Sequence, residues 1–133
     1  MYFAIEEKII GKFNYGQLDV SPDDSSGYRP YELFVSSMIG CSGAILRKIL
    51  TKKKQPFTSI KAEISSVRNS EAANRIEQLS VTAFVVTEKP LSNEQEEKIA
   101  QLVIDNCGML QSVKGSIDLT FRVKTMNEEP PTS

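Results

Sequence analysis

The alternation of apolar and polar residues predicts strands in three parts of the chain. Residues 1–20 carry a weak alternation interrupted by a turn, which indicates two short strands. Ile60–Ser65 and Leu79–Val85 alternate clearly, and the polar link Asn69–Arg75 between them predicts an antiparallel hairpin with a long loop. Ile117–Val123 has the same period and predicts a last strand.

The longest apolar segment predicts a helix from Pro30 to about Lys54. Pro30 suits the first helical position, Glu32 is an acidic residue in the first turn, and Pro56 follows the basic end. Its polar surface is so small that we expect a central helix buried on most sides. Two apolar stripes and a third stripe of small residues lie side by side along it: Phe34, Met38, Cys41, Ile45, Ile49; Val35, Ile39, Leu46, Leu50; and Ser36, Gly40, Gly43.

A second helix is predicted from a capping signal. Ser92 with Gln95 three residues later is a capping box, which predicts a helix to about Asn106. Cys107 lies on the same inward face as its apolar stripe of Ile99, Leu102, Val103 and Leu110. The order of strands, helix, hairpin, helix and strand predicts an α+β fold with an antiparallel sheet. We expect one domain over residues 1–125 and a disordered polar tail over 126–133.

Composition narrows the function. The chain has 133 residues, 40% of them hydrophobic, and a net charge of −1, so it lacks a basic footprint for nucleic acid. Its start does not resemble a signal peptide and no run reaches the length of a membrane span, which predicts a cytoplasmic protein with reduced thiols. There is no histidine, which excludes Ser-His-Asp and Cys-His hydrolases, and two cysteines cannot close a zinc site. We expect no metal and no cofactor.

The two cysteines are therefore the best nucleophiles available. Free cysteine is often only a buried space-filler, and that interpretation stays open for both. Cys41 lies between Gly40 and Gly43, where missing side chains leave room for a substrate, and Cys107 ends a helix and is followed by Gly108. Both lie on core-facing stripes of separate helices, so they could approach the Cα separation of about 5.5 Å that a disulfide needs.

One segment carries a family resemblance. Arg29-Pro-Tyr-Glu-Leu-Phe-Val-Ser-Ser-Met-Ile-Gly-Cys41 resembles the Pro-x-Glu-Leu…Gly-Cys helix of the OsmC/Ohr family. Cys107, which closes the second long helix before the final strand, resembles that family's second cysteine. The likeness covers roughly residues 15–125 and is closer to the OsmC-like branch than to Ohr proper.

The resemblance implies an OsmC-like fold with antiparallel sheets around a long central helix, in an intertwined homodimer. It also implies reduction of organic hydroperoxides or peroxide, in which Cys41 attacks, Cys107 resolves and an external dithiol resets the pair. Arg29 and Glu32 are the candidate activators. At position 31, where the family's peroxidases place a Glu, this chain has Tyr31, and Lys12 is an alternative cation to Arg29.

Two other functions compete with the peroxidase. One is a protein with the same fold and no catalysis, which binds a small apolar or thiol-reactive ligand at the dimer interface. The other is a purely structural partner domain, in which both thiols would resist alkylation in the native state.

Overall fold

The computed structural model describes residues 1–129, and the chain divides into two compact units after Met38. The first unit begins with three strands rather than the predicted two: β1 (Phe3–Ile5), β2 (Ile9–Lys12) and β3 (Gln17–Val20). They form an antiparallel sheet in the order β1-β2-β3. The alternation treated residues 2–9 as one strand and missed the turn between β1 and β2, where the Glu6 N–H donates to the Lys8 carbonyl at 3.0 Å.

Helix α1 (Pro30–Lys52) confirms the predicted long helix, and it belongs to both units because the division falls within it. It ends two residues early: Lys54 has a left-handed φ of 54°, and the Gln55 N–H closes the turn on the Leu50 carbonyl at 2.9 Å. By length and composition α1 could cross a membrane, a test that the core helix of a soluble protein also passes.

The expectation that α1 is buried on most sides is wrong for the single chain. Its buried residues form one stripe: Met38, Ser42, Leu46 and Leu50. Gly40 is exposed, and an added Cβ at Gly40 or Gly43 would meet no atom within 4 Å. The close backbone neighbour that we expected at these glycines is therefore not supplied by the described part of the chain.

The second sheet has the order β4-β5-β6, formed by β4 (Ser59–Asn69), β5 (Arg75–Val86) and β6 (Asp118–Met126). The antiparallel hairpin of β4 and β5 is confirmed, with a short 3₁₀ turn at Ser70–Ala72 in its loop. The α+β class is confirmed as well. The expectation of purely antiparallel sheets is wrong, because β6 runs parallel to β5 after a helical crossover.

That crossover consists of α2 (Asn93–Asn106) and α3 (Gly108–Val113). The capping box at Ser92 is confirmed: its side chain accepts the Gln95 N–H, and the Gln95 side chain accepts the Ser92 N–H. Ile99, Val103 and Leu110 are buried as predicted, whereas Leu102 is 38% exposed and lies off the buried stripe.

The described chain continues past residue 125 in contact with the second sheet. Met126 closes β6, and the Glu129 carboxylate accepts from Ser59 Oγ at 2.7 Å and lies 3.1 Å from Lys61 Nζ. The rest of the predicted tail, residues 130–133, lies outside the described residues. The prediction of one domain over 1–125 stays a prediction.

Candidate functional site

The two cysteines meet in the second unit, although they lie far apart in the sequence. Cys41 is in the middle of α1 and partly exposed, whereas Cys107 is fully buried between α2 and α3. Both are free thiols. Cys107 has an extended backbone (φ −93°, ψ 109°) that ends α2 and lets α3 start in a new direction at Gly108. This break turns the first N–H groups of α3 toward Cys41.

Three neutral donors surround the Cys41 sulfur. The Cys107 thiol donates to it and lowers the pKa of Cys41 most, followed by the backbone N–H of Met109. Partial burial raises this pKa, and the Gly108 N–H lowers it again, so that the net direction is downward from the ordinary value of a cysteine. Hydrogen bonds to a thiolate favour the ionised form, so Cys41 is the more nucleophilic of the two thiols.

Cys107 shifts in the opposite direction. Burial raises the pKa of Cys107, and the hydrogen bond to Cys41 raises it further because a donating thiol must stay protonated. Backbone N–H groups of Leu110 and Met109 offset part of this rise. The pair therefore holds one proton on Cys107 while Cys41 ionises, which is the arrangement expected of an attacking and a resolving thiol.

Arg29 and Glu32 lie in the first unit and bind each other. The Arg29 Nε donates to Glu32 Oε1 across one helical turn at the start of α1, and both side chains are about half exposed. The hydrogen bond with Glu32 raises the pKa of Arg29 above its ordinary value. Their proposed role as activators of Cys41 stays a prediction.

The backbone donors of Gly108 and Met109 were not found from the sequence. The predicted second helix ended at about Asn106 and no element was predicted after Cys107, so the short helix α3 and its first N–H groups were missed. Gly108 was the available signal, because a glycine directly after a helix end commonly marks a change of chain direction. We expected charged side chains to activate Cys41, but backbone amide groups lie beside its sulfur instead.

The described residues offer no obvious metal site. Within residues 1–129, no group of three or more His, Cys, Asp or Glu side chains is arranged to hold a metal ion. The chemistry that the arrangement supports is that of a thiolate beside a protonated thiol: attack on an electrophile by Cys41, followed by formation of a Cys41–Cys107 disulfide.

Comparison with protein families identifies the class. Residues 22–122 match the family model described as OsmC-like protein, which is most of the chain and includes both cysteines. The chain belongs to the OsmC-like family. No curated protein sequence matches the chain.

Solved structures share the fold along almost the whole chain. A hypothetical protein from Aquifex aeolicus VF5 is 23% identical, with a TM-score of 0.81 and 96% of each chain covered. An OsmC-like protein from Mycoplasma pneumoniae is 11% identical, with a TM-score of 0.79 and 94% of each chain covered. An organic hydroperoxide resistance protein OsmC from Legionella pneumophila is 12% identical, with a TM-score of 0.72, covering 92% of this chain and 93% of its own.

Proposed function

We propose that this protein is a homodimeric, cytoplasmic, cysteine-based peroxidase that reduces organic hydroperoxides or peroxide through a Cys41–Cys107 cycle. The observation that supports the proposal is the proximity of the buried Cys107 thiol to the partly exposed Cys41 sulfur, which lowers the pKa of Cys41. Membership of the OsmC-like family and structural neighbours that are organic hydroperoxide resistance proteins support it.

The cycle has three balanced steps. The Cys41 thiolate attacks the outer oxygen of the hydroperoxide; the O–O bond breaks, an alcohol leaves after protonation, and Cys41 becomes a sulfenic acid. The Cys107 sulfur then attacks the Cys41 sulfur, a disulfide forms and water leaves. An external dithiol reduces this disulfide by exchange and is itself oxidised to a disulfide.

The homodimer is supported by surface that a single chain leaves uncovered. Helix α1 is long and apolar, yet only about a fifth of its most apolar window is buried, and its glycines Gly40 and Gly43 face open space. A soluble protein rarely exposes so large an apolar surface, so a second copy is the expected cover. Such a cover would also enclose the partly exposed Cys41 in apolar surroundings that suit an alkyl hydroperoxide.

The test is consumption of cumene hydroperoxide with a dithiol reductant, compared between the wild-type chain and three variants. Cys41→Ser should abolish consumption. Cys107→Ser keeps a hydroxyl donor to Cys41, so with one equivalent of hydroperoxide and no reductant it should react at nearly the normal rate and stop as a sulfenic acid. Cys107→Ala removes the donor and should slow that reaction. Full activity of Cys41→Ser would refute the proposal.

The second candidate is a ligand-binding protein without catalysis. It is favoured by Tyr31 at the position where the family's peroxidases carry a Glu, and by the engagement of Arg29 with Glu32. This candidate predicts that Cys41 reacts with iodoacetamide no faster than an ordinary exposed thiol at pH 7. A Cys41 that is alkylated faster, and a disulfide that forms after one equivalent of hydroperoxide, would reject it.

A further inference from the structure

A cleft of about 450 Å³ lies between α2 and the outer edge of β6, in the second unit and apart from the residues around Cys41. Its apolar floor includes Ala100, Phe121 and Val123, which are nearly buried. The volume falls within the range of about 300–1,000 Å³ that is typical of ligand sites. Neither cysteine lines it, so the thiol chemistry does not explain it.

The backbone of β6 presents hydrogen-bonding groups to this cleft. In a parallel pair, alternate residues direct their N–H and C=O groups toward the neighbouring strand. The Met126 carbonyl accepts from the Thr87 N–H at 2.8 Å, whereas the Thr125 N–H donates away from β5 to Glu96 Oε2 at 2.6 Å. By this alternation, the N–H and C=O groups of Phe121 and Val123 also point away from β5. β6 is the last strand of its sheet, so these groups face the cleft.

The acidic and basic side chains around the cleft lie on different walls. Glu97 lies on the α2 wall, and Arg122 and Lys124 project from the face of β6 opposite to the buried Phe121 and Val123. Within residues 1–129, none of these three charged side chains forms an ion pair or a side-chain hydrogen bond. A strand added beside β6 would place alternate side chains next to the acidic wall and next to the two basic residues.

We propose that the cleft binds an extended peptide segment with alternating basic and acidic side chains, which adds to β6 as a fourth strand of the sheet. Main-chain hydrogen bonds to Phe121 and Val123 provide the pairing, as in other proteins that recognise peptides by strand addition. Basic side chains of the segment face Glu97, and acidic ones face Arg122 and Lys124. The α2 wall from Asn93 to Ile104 is about 16 Å long, enough for four or five extended residues.

The charge pattern also argues for this occupant over an apolar one. Charged residues on an edge strand discourage pairing with an apolar or a basic strand, because the added strand would bury or oppose those charges. Arg122 and Lys124 therefore exclude such segments and favour one with acidic residues at alternate positions. Successive side chains of a strand point to opposite faces of the sheet. If the acidic residues of the segment face Arg122 and Lys124, the residues between them face α2, and they must be basic to pair with Glu97.

The test is titration of the isotope-labelled full chain with the acetylated, amidated hexapeptide Val-Lys-Glu-Lys-Glu-Val, followed by amide NMR. We expect saturable shifts centred on Phe121 and Val123. The matched control, Val-Lys-Lys-Glu-Glu-Val, has the same composition without alternation and should bind about fivefold more weakly, since surface ion pairs contribute little each. Arg122→Glu combined with Lys124→Glu should weaken the alternating peptide at least as much, whereas Glu63→Gln, on the same face of β4, should not.

Three results would overturn the proposal. Equal binding of the two peptides, or binding that the charge reversal leaves unchanged, would show that alternation is not recognised. The same shifts with free lysine and glutamate would show that the cleft binds single zwitterions and not a strand. Shifts at Phe121 and Val123 that appear on concentrating the protein without peptide would show that a second copy occupies the edge.

Discussion

The substitution Gly108→Pro tests whether backbone amides activate Cys41. Proline lacks the N–H that Gly108 donates to the Cys41 sulfur, and its backbone preferences suit this position. Gly108 is the first residue of α3, where proline is favoured, and the preceding Cys107 already has the extended backbone that proline imposes on its neighbour. The change removes one donor and places the proline Cδ on the side of the nitrogen that faced Cys41, so an intact fold is a condition of the test.

The size of the effect follows from the kind of hydrogen bond that is lost. A hydrogen bond to a charged group contributes about 1.5–3 kcal/mol, but sulfur is a weak acceptor, and Cys41 is partly exposed. The Gly108 donor is also the weakest of the three that lower the pKa of Cys41. A loss of about 1 kcal/mol is therefore reasonable, which corresponds to about a fivefold smaller thiolate fraction at a pH below the pKa.

The assay is the rate of Cys41 alkylation by iodoacetamide as a function of pH, read by peptide mass spectrometry. The direction is fixed by the sign of the shift: a lowered pKa keeps Cys41 reactive as pH falls, until pH passes through that pKa. Gly108→Pro should raise the pKa of Cys41. As pH falls, the variant should therefore lose its reactivity at a higher pH than the wild-type chain. Cys107, whose pKa is raised by burial, should remain unreactive over the same range.

Gly108→Ala is the matched control, because it keeps the N–H and its Cβ would meet no atom within 4 Å. We expect it to retain the wild-type pH profile. If Gly108→Pro left the profile unchanged while circular dichroism showed an intact fold, the amide would not be an activating group. If Gly108→Ala shifted the profile as far as proline does, the effect would come from the local backbone and the reasoning would also fail.

Three further predictions concern the surroundings of the site. Thr125→Val breaks the hydrogen bond from Thr125 Oγ1 to Glu96 at 2.7 Å and should lower the free energy of unfolding in urea by about 1–3 kcal/mol. A decrease below about 0.5 kcal/mol, which surface substitutions commonly give, would refute this. Gly11→Ala places a Cβ 2.7 Å from the Phe3 ring, so the ring must move and the NMR signals of its neighbours in the β1–β3 sheet should change. Gly16→Ala, whose Cβ would meet no atom within 4 Å, should leave those signals unchanged. Gly40→Leu should stabilise an isolated helix but convert the proposed homodimer to monomer in sedimentation; a stable dimer would place the interface elsewhere.

Local patterns were sufficient for most elements of the fold. The capping box of α2, the hairpin of β4 and β5, and the span of α1 depend on residues close in sequence, and each was predicted within a few residues. The parallel pairing of β6 with β5 was not, because strand alternation is the same in parallel and antiparallel sheets. The predicted order of strand, helix and strand was the available signal, because a helical crossover is the usual connection between parallel strands.

The approach of the two thiols was anticipated from the sequence, the backbone donors were not, and the roles of Cys41, Cys107, Arg29 and Glu32 remain predictions. Cys41 and Cys107 were placed on inward faces of two helices, and the structure brings them within hydrogen-bonding distance of each other. Thiols and charged groups can be recognised from residue type, so the activators predicted for Cys41 were the charged residues Arg29, Glu32 and Lys12. Every residue has an N–H, and only the break in the helix after Cys107 decides which of them reach the sulfur.

The position of Cys107 links the activation of Cys41 to the formation of the disulfide, two roles that separate groups could fill. Its thiol is the largest cause of the lowered pKa of Cys41, and it is also the thiol that would form the disulfide. The amides that assist it belong to Gly108 and Met109, which follow it directly in the chain. In the proposed cycle, one short segment therefore supplies both the activation of Cys41 and its resolution. A charged activator would remain beside Cys41 after oxidation, whereas here disulfide formation would consume the principal donor together with the nucleophile, so that reduction by the dithiol restores both at once.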